Sequence, residues 1–240
     1  MHPAIAIAAG FVVGSYVLKL AADAAARPSD DDQAGDAAGI GDGAYLLDYV
    51  NPWGVIERQF ESFTVAKSTD DTNVRAFLSM IDYAEGTSVG GRDPYRTCYG
   101  YRHTITDLAF HPAELRGPAG QQWREWSGEK LPDEVCRAAG KLPGCVSTAA
   151  GRYQIIRPTW LDAKRALALT DFSPASQDAA AVYLIRKRGA LDDVKRGRLA
   201  DAVAKCAPEW ASLPGAGYKQ PERRVASLTQ AYVEAGGNLA

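Results

Sequence analysis

The chain has 240 residues, 46% of them hydrophobic and 23% charged, which is ordinary for a soluble globular protein with a well-buried core. Four cysteines in a chain of this length exclude a small disulfide scaffold. The formal net charge of −2 hides an asymmetry: residues 1–72 hold 4 basic and 11 acidic side chains, whereas residues 73–240 hold 23 and 18. The second part is mildly basic and suits an anionic polymer, but no nucleic-acid motif accompanies that charge.

Residues 3–22, "PAIAIAAGFVVGSYVLKLAA", are apolar, rich in Ala and Gly, and interrupted by Lys19. A membrane-spanning helix needs about 20 mostly apolar residues, so this stretch sits at the lower limit. The preceding "MH" gives no basic leader of the kind a secretory signal carries. Three readings fit: a membrane anchor or releasable signal-anchor, a cleaved signal, or a helix buried in a protein assembly. Residues 1–26 are therefore assigned to an apolar, membrane-associated helix. Residues 27–43, "RPSDDDQAGDAAGIGDG", read as a flexible acidic linker. Residues 44–72 regain aromatics around "NPWG" and read as a connector packing on the main domain.

From residue 73 the pattern turns helical. Val74, Phe77, Leu78, Ile81 and Ala84 recur along one helix face, with N-cap candidates between Asp70 and Asn73 and a left-handed cap at Gly86. Residues 95–110 predict a short hairpin around Gly100, and residues 117–147, broken by Gly and Pro, read as loop. "GRYQIIR" reads as extended and leads to Pro158, which suits the first turn of a helix. "SPASQDAAAVYLIRKRG" repeats that grammar, with Ser173 as cap, Pro174 in the first turn and Gly189 as terminator. Further helices fit residues 198–207 and 221–235. The expected fold class is α+β, mainly α, with a small β element.

Cys136 and Cys145 flank the turn-rich "RAAGKLPG" and are expected to pair in an oxidising compartment. Cys206 fits a buried thiol. Cys98 lies near His103 and His111, but "CYGYRH" lacks nucleophile grammar, so a packed cysteine is the simpler reading.

Glu85 ends the first predicted helix of this domain. A helix C-terminus carries about half a negative charge, so a carboxylate held there resists ionising and should titrate above the free Glu value of about 4.3. Such a group can donate a proton to a leaving oxygen, as a general acid does in glycoside cleavage. Asp82, Asp93 and Asp107 are nearby in sequence, yet none has a motif that makes it a second catalytic carboxylate.

"AFLSMIDYAEGT", "HTITDLAFHP", "STAAGRYQII", "DFSPASQDAAA", "RGAL" and "WASLPGAGYKQ" run in order through residues 74–237. With these stretches the chain resembles the phage lambda-type endolysin family, lysozyme-like lytic transglycosylases of peptidoglycan. The resemblance implies a lysozyme-like domain over 73–240, with Glu85 as catalytic acid. Tyr153, Gln154 and Tyr218 match the family's substrate-groove positions. It implies cleavage between N-acetylmuramic acid and N-acetylglucosamine with a 1,6-anhydro product, and neither metal nor organic cofactor. The partners implied are peptidoglycan strands, together with a membrane or hydrophobic virion assembly reached through the N-terminal segment. Two other functions fit the same residues: a hydrolytic lysozyme-type endolysin, and a non-catalytic wall-binding or virion structural protein. The stretch 117–146, with Trp123 and Trp126, is longer than the matching family loop and is expected to extend the groove or touch a partner.

Overall fold

The computed structural model describes residues 71–118, 121–138, 141–210, 212–215 and 222–240. The predicted apolar helix, the linker and the connector up to residue 70 lie outside the described residues, as does Tyr218. Among the described residues no helix is long and apolar enough to cross a membrane.

Helix α1, Thr72–Glu85, begins where Asp71 accepts the amides of Asn73 and Val74, and it buries the face read from the sequence. Val74, Phe77, Leu78, Ile81 and Ala84 are all buried. They meet α3 (Arg157–Leu167), α4 (Pro174–Lys187), α5 (Leu191–Lys195), α6 (Leu199–Cys206) and α7 (Val225–Glu234) in one core. Trp160 and Phe172 anchor that core edge to face, with ring centroids 4.7 Å apart. Pro158 and Pro174 stand in the first turns of α3 and α4, where a missing N–H costs nothing, and Ser173 caps α4. Cys98 and Cys206 are buried free thiols, and burial pushes both up from the ordinary cysteine range.

The stretch 117–147 departs from the expected loop. It holds α2, Asp133–Ala138, and a two-stranded antiparallel sheet in which β1 (Glu129–Lys130) pairs with β2 (Val146–Ser147). Cys136 and Cys145 form the expected disulfide, which closes this unit. A second small core of Tyr99, Leu131, Cys136, Ala149 and Ile156 lies beneath it. Elements this short carry too few residues for a periodic signal, and Gly and Pro interrupt the pattern between them. The predicted hairpin around Gly100 is reduced to one bridge, Thr97 to Thr104, enclosing a 3-10 turn at Tyr99–Tyr101. Helix α5 was not predicted, for the same reason of length.

The base of the long stretch is pinned by Arg116. Its guanidinium lies 4.7 Å from the Phe110 ring and 5.1 Å from the Trp123 ring. It also pairs with Asp107 at 2.8 Å and faces Glu125 at 3.7 Å. Glu125 in turn accepts from Thr106 N–H at 2.7 Å and meets His103 Nε2 at 2.9 Å. Burial pushes the Glu125 carboxyl up, but hydrogen bonds from Thr106, His103 and Asp107 outweigh it and hold the group below the usual range.

Candidate active site

Glu85 is the last residue of α1 and is only 3% exposed. The helix stops because Gly86 adopts φ 72°, a left-handed conformation that costs glycine little, and its N–H returns to Asp82 O at 2.8 Å. The helix end leaves further carbonyls without intrahelical donors. Arg223 supplies them: Nη2 donates to Tyr83 O at 3.3 Å and Nε to Ala84 O at 3.2 Å. Tyr101 donates its hydroxyl to Gly86 O at 2.9 Å. A guanidinium at this position also opposes the negative end of the helix dipole.

The carboxylate itself is held from the other side of the sequence. Ser212 Oγ donates to Glu85 Oε1 at 2.8 Å, and both groups are buried. The backbone N–H of Arg223 donates to Ser212 O at 3.0 Å. Ser212 and Arg223 therefore join the two ends of the 213–222 segment and fasten both to the end of α1. The stretch between them contains "PGAGY", and Tyr218 itself lies outside the described residues.

Asp82 shapes the turn after the acid. Its carboxylate takes Ser88 Oγ at 2.7 and 2.8 Å and Arg152 Nε at 3.4 Å. Thr87 Oγ1 lies 2.5 Å from Asp82 Oδ1 and 2.9 Å from Arg152 O, and its single proton serves one of them at a time. The "GTS" turn is thus bolted to the "GRYQ" turn. Arg152 also donates from Nη1 to Tyr95 OH at 2.9 Å and from Nη2 to Ser79 Oγ at 3.2 Å. Gly151 has no alternative here: φ is 76°, and an added Cβ would stand 2.1 Å from Gln177 Oε1, the atom that accepts Arg152 N–H at 2.9 Å.

Within that turn Tyr153 and Gln154 are both buried. Tyr153 sends its hydroxyl to Asp178 at 2.6 Å, and burial raises the phenol well above its ordinary value. Gln154, at φ 49°, spends its side-chain amide on Thr97 O at 3.0 Å and Gly151 O at 2.9 Å. In this conformation the Tyr153 hydroxyl and the Gln154 side-chain N–H groups are engaged by protein. Ser212, Arg223 and Tyr101 complete the setting of Glu85 and were not singled out in the sequence. Ser212 lay inside the matching stretch "WASLPGAGYKQ", but nothing local points a serine there at residue 85.

The other carboxylates near Glu85 in sequence are occupied. Asp93 caps a separate 3-10 turn, Pro94–Arg96, through Tyr95 N–H at 3.0 Å, and Asp107 pairs with Arg116. Cys98 is fully buried and His103 faces Glu125, so the two do not form a nucleophile pair. Among the described residues no group of three or more His, Cys, Asp or Glu side chains could hold a metal ion.

The family model described as Endolysin matches residues 75–239. The chain is 39% identical over 165 residues to the endolysin of Escherichia phage P2, covering 69% of this chain and 93% of that one. It is 37% identical over 170 residues to the endolysin of Escherichia phage lambda, covering 69% and 92%. Among solved structures it is similar to bacteriophage lambda lysozyme complexed with a chitohexasaccharide, with a TM-score of 0.54 and 35% identity over 70% of this chain and 97% of that one. A second structure of lysozyme from bacteriophage lambda gives a TM-score of 0.53 at 34% identity.

Proposed function

The chain belongs to the endolysin family, and from that premise we propose that it is a peptidoglycan lytic transglycosylase with Glu85 as its catalytic acid and base. The observation that carries the reading is the setting of Glu85, buried at the end of α1 with Ser212 fixing one oxygen. Glu85 gives its proton to the glycosidic oxygen between N-acetylmuramic acid and N-acetylglucosamine as the C1–O bond breaks. The C6 hydroxyl of the muramic residue then attacks its own C1 and passes its proton to the Glu85 carboxylate. A 1,6-anhydro ring closes and the acid is restored, so no water is consumed and the nucleophile comes from the substrate.

A hydrolase asks for a second carboxylate, about 5–5.5 Å away in a retaining enzyme and about 6.5–9.5 Å in an inverting one. The commitments of Asp82, Asp93 and Asp107 to other partners support the one-acid route. A glycan oligomer bound to the similar lambda lysozyme supports a sugar groove at this site. Tyr153 and Gln154 shape that groove through the turn they hold, and Tyr218 is assigned to substrate binding from the matching "PGAGY" stretch alone. The apolar residues 3–22 carry the catalytic domain to a membrane or a hydrophobic virion assembly, from which it acts on periplasmic peptidoglycan.

Mass spectrometry of digested sacculi tests the chemistry. The expected muropeptides end in anhydromuramic acid and lack one water relative to hydrolytic products. Reducing-end muropeptides alone would reject the transglycosylase and leave a hydrolytic muramidase. Loss of all cleavage in Glu85→Gln is expected; an active variant would move the chemistry to another residue.

A further inference from the structure

A cleft of about 440 Å³ lies between the disulfide-closed unit and the start of α3, away from the Glu85 side chain. Arg124, Lys141 and Arg157 line it, with Leu142, Val146 and Pro158 beside them, and among the described residues no acidic side chain does. Leu142, in the loop before β2, is 62% exposed. Two acids of the same stretch of chain are committed to other groups. Asp133 takes Gly144 N–H at 3.2 Å, and Glu125 holds His103 and Thr106. The walls are cross-linked: the disulfide joins Cys136 to Cys145, Lys141 N–H returns to Cys136 O at 2.8 Å, and Leu131 N–H bonds Cys145 O at 3.0 Å.

A short stretch of chain links the cleft to the turn after Glu85. Thr148 lines it, and the backbone four residues on, at Arg152, lies 2.9 Å from the hydroxyl of Thr87, two residues past Glu85. Four extended residues span at most about 14 Å. With the Arg152–Thr87 contact and the two residues back to Glu85, that path sets an upper limit of about 30 Å between the cleft wall and Glu85, a span that a glycan strand and its peptide stem cover together.

We propose that this cleft binds the carboxylate-bearing peptide stem of the peptidoglycan strand, so that the enzyme reads the peptide as well as the glycan. The inference rests on the proposed peptidoglycan substrate. Cationic side chains meet the stem's free carboxylates, and the apolar wall meets its alanine methyl groups. A phosphate polymer would satisfy the cations and leave Leu142 and Val146 facing nothing apolar. Because stem and glycan are covalently joined, a weak contact in the cleft adds to groove binding as an intramolecular event.

The full chain carrying Arg124→Glu and Lys141→Glu should lose about fivefold in kcat/KM on peptide-bearing strands, through KM, as expected for two exposed charge pairs reversed. On strands stripped of peptide by an amidase, wild type and variant should agree within twofold. In parallel, full-length Glu85→Gln protein titrated with a free alanyl-glutamyl stem tripeptide should show saturable binding that Lys141→Glu removes. Equal losses on both strand types, or no loss on either, would overturn the proposal, as would binding of inorganic polyphosphate but not of the tripeptide. If wild type cleaves neither strand, the glycan-cleaving reading fails, and the tripeptide titration still decides whether the cleft takes a stem.

Discussion

Ser212 and Glu85 lie 127 residues apart in sequence, yet the serine hydroxyl donates a 2.8 Å hydrogen bond to the carboxyl oxygen Oε1. This contact fixes the rotamer of the proposed acid and joins Ser212 to the end of α1. It gives Ser212 the role of a positioning residue, since its hydroxyl acts through Glu85.

Ser212→Ala should therefore lower kcat by about tenfold or more, the range expected when a hydrogen bond to an ionisable group is lost. KM should move little, and the melting temperature by only a few degrees. Ser212→Thr keeps the hydroxyl and should recover part of the rate. Steady-state kinetics on sacculi, with melting curves on the same samples, separate these outcomes. A loss in Ser212→Ala confined to stability would remove the positioning role.

Gly86→Ala tests the turn that presents Glu85. An added Cβ has room, its nearest neighbours being Tyr101 Oη at 3.5 Å and Arg223 Nη2 at 3.6 Å. The cost is then conformational, about 1–2 kcal/mol for an L-residue at φ 72°. Urea denaturation should register that loss. A much larger loss would mean that the Cβ also disturbs the Arg223 clasp on α1.

Much of this architecture was legible because it is local. The apolar stripe of α1, the left-handed stop at Gly86, and the Ser173–Pro174 start of α4 each need only neighbours a few residues away. Glu85, the proposed acid, was legible as a helix-ending carboxylate in the matching "EGT". What supports that acid was not. Ser212 and Arg223 reach Glu85 and its helix through tertiary contacts that leave no periodic trace. The burial of Tyr153 and Gln154 was equally hidden, since a turn rich in polar groups gives no sign of whether sugar or protein will satisfy them.

Removing the Cys136–Cys145 disulfide should act locally. Closing so short a loop, nine residues of separation, contributes about 2–3 kcal/mol in the chain-entropy account. The double Cys136→Ser, Cys145→Ser variant should lose hydrogen-exchange protection in α2 and in the β1–β2 pair. The amides of α1 and the rate on peptide-free glycan should stay near wild type. A matching loss of protection in α1 would show that the disulfide-closed unit and the main core unfold as one.

His111 predicts how the domain responds to acid. Its ring is completely buried, 4.9 Å from Phe172 edge to face, and both nitrogens are engaged. Ala113 N–H donates to Nδ1 at 3.2 Å, so Nδ1 is the acceptor and Nε2 carries the proton it donates to Ile155 O at 3.0 Å. Protonating Nδ1 would break the first bond and bury a charge among Arg157, Arg116 and Lys164. Burial above all, with those cations adding to it against the pull of the Ile155 bond, lowers the pKa from 6.5 to about 3. The folded value is the depressed one, so the unfolded chain takes up the proton first as pH falls. The neutral ring's contribution to stability is complete above about pH 6.5 and drains away between there and about pH 3. By pH 4.5 the loss should reach about 2–3 kcal/mol at 1.36 kcal/mol per pH unit. Urea midpoints at pH 7.5 and 4.5 should show that loss in wild type. His111→Gln, less stable at pH 7.5 but without an ionisable ring, should lose about 2 kcal/mol less over the same interval. Equal losses in both proteins would assign the acid sensitivity to the carboxylates and clear His111 of it.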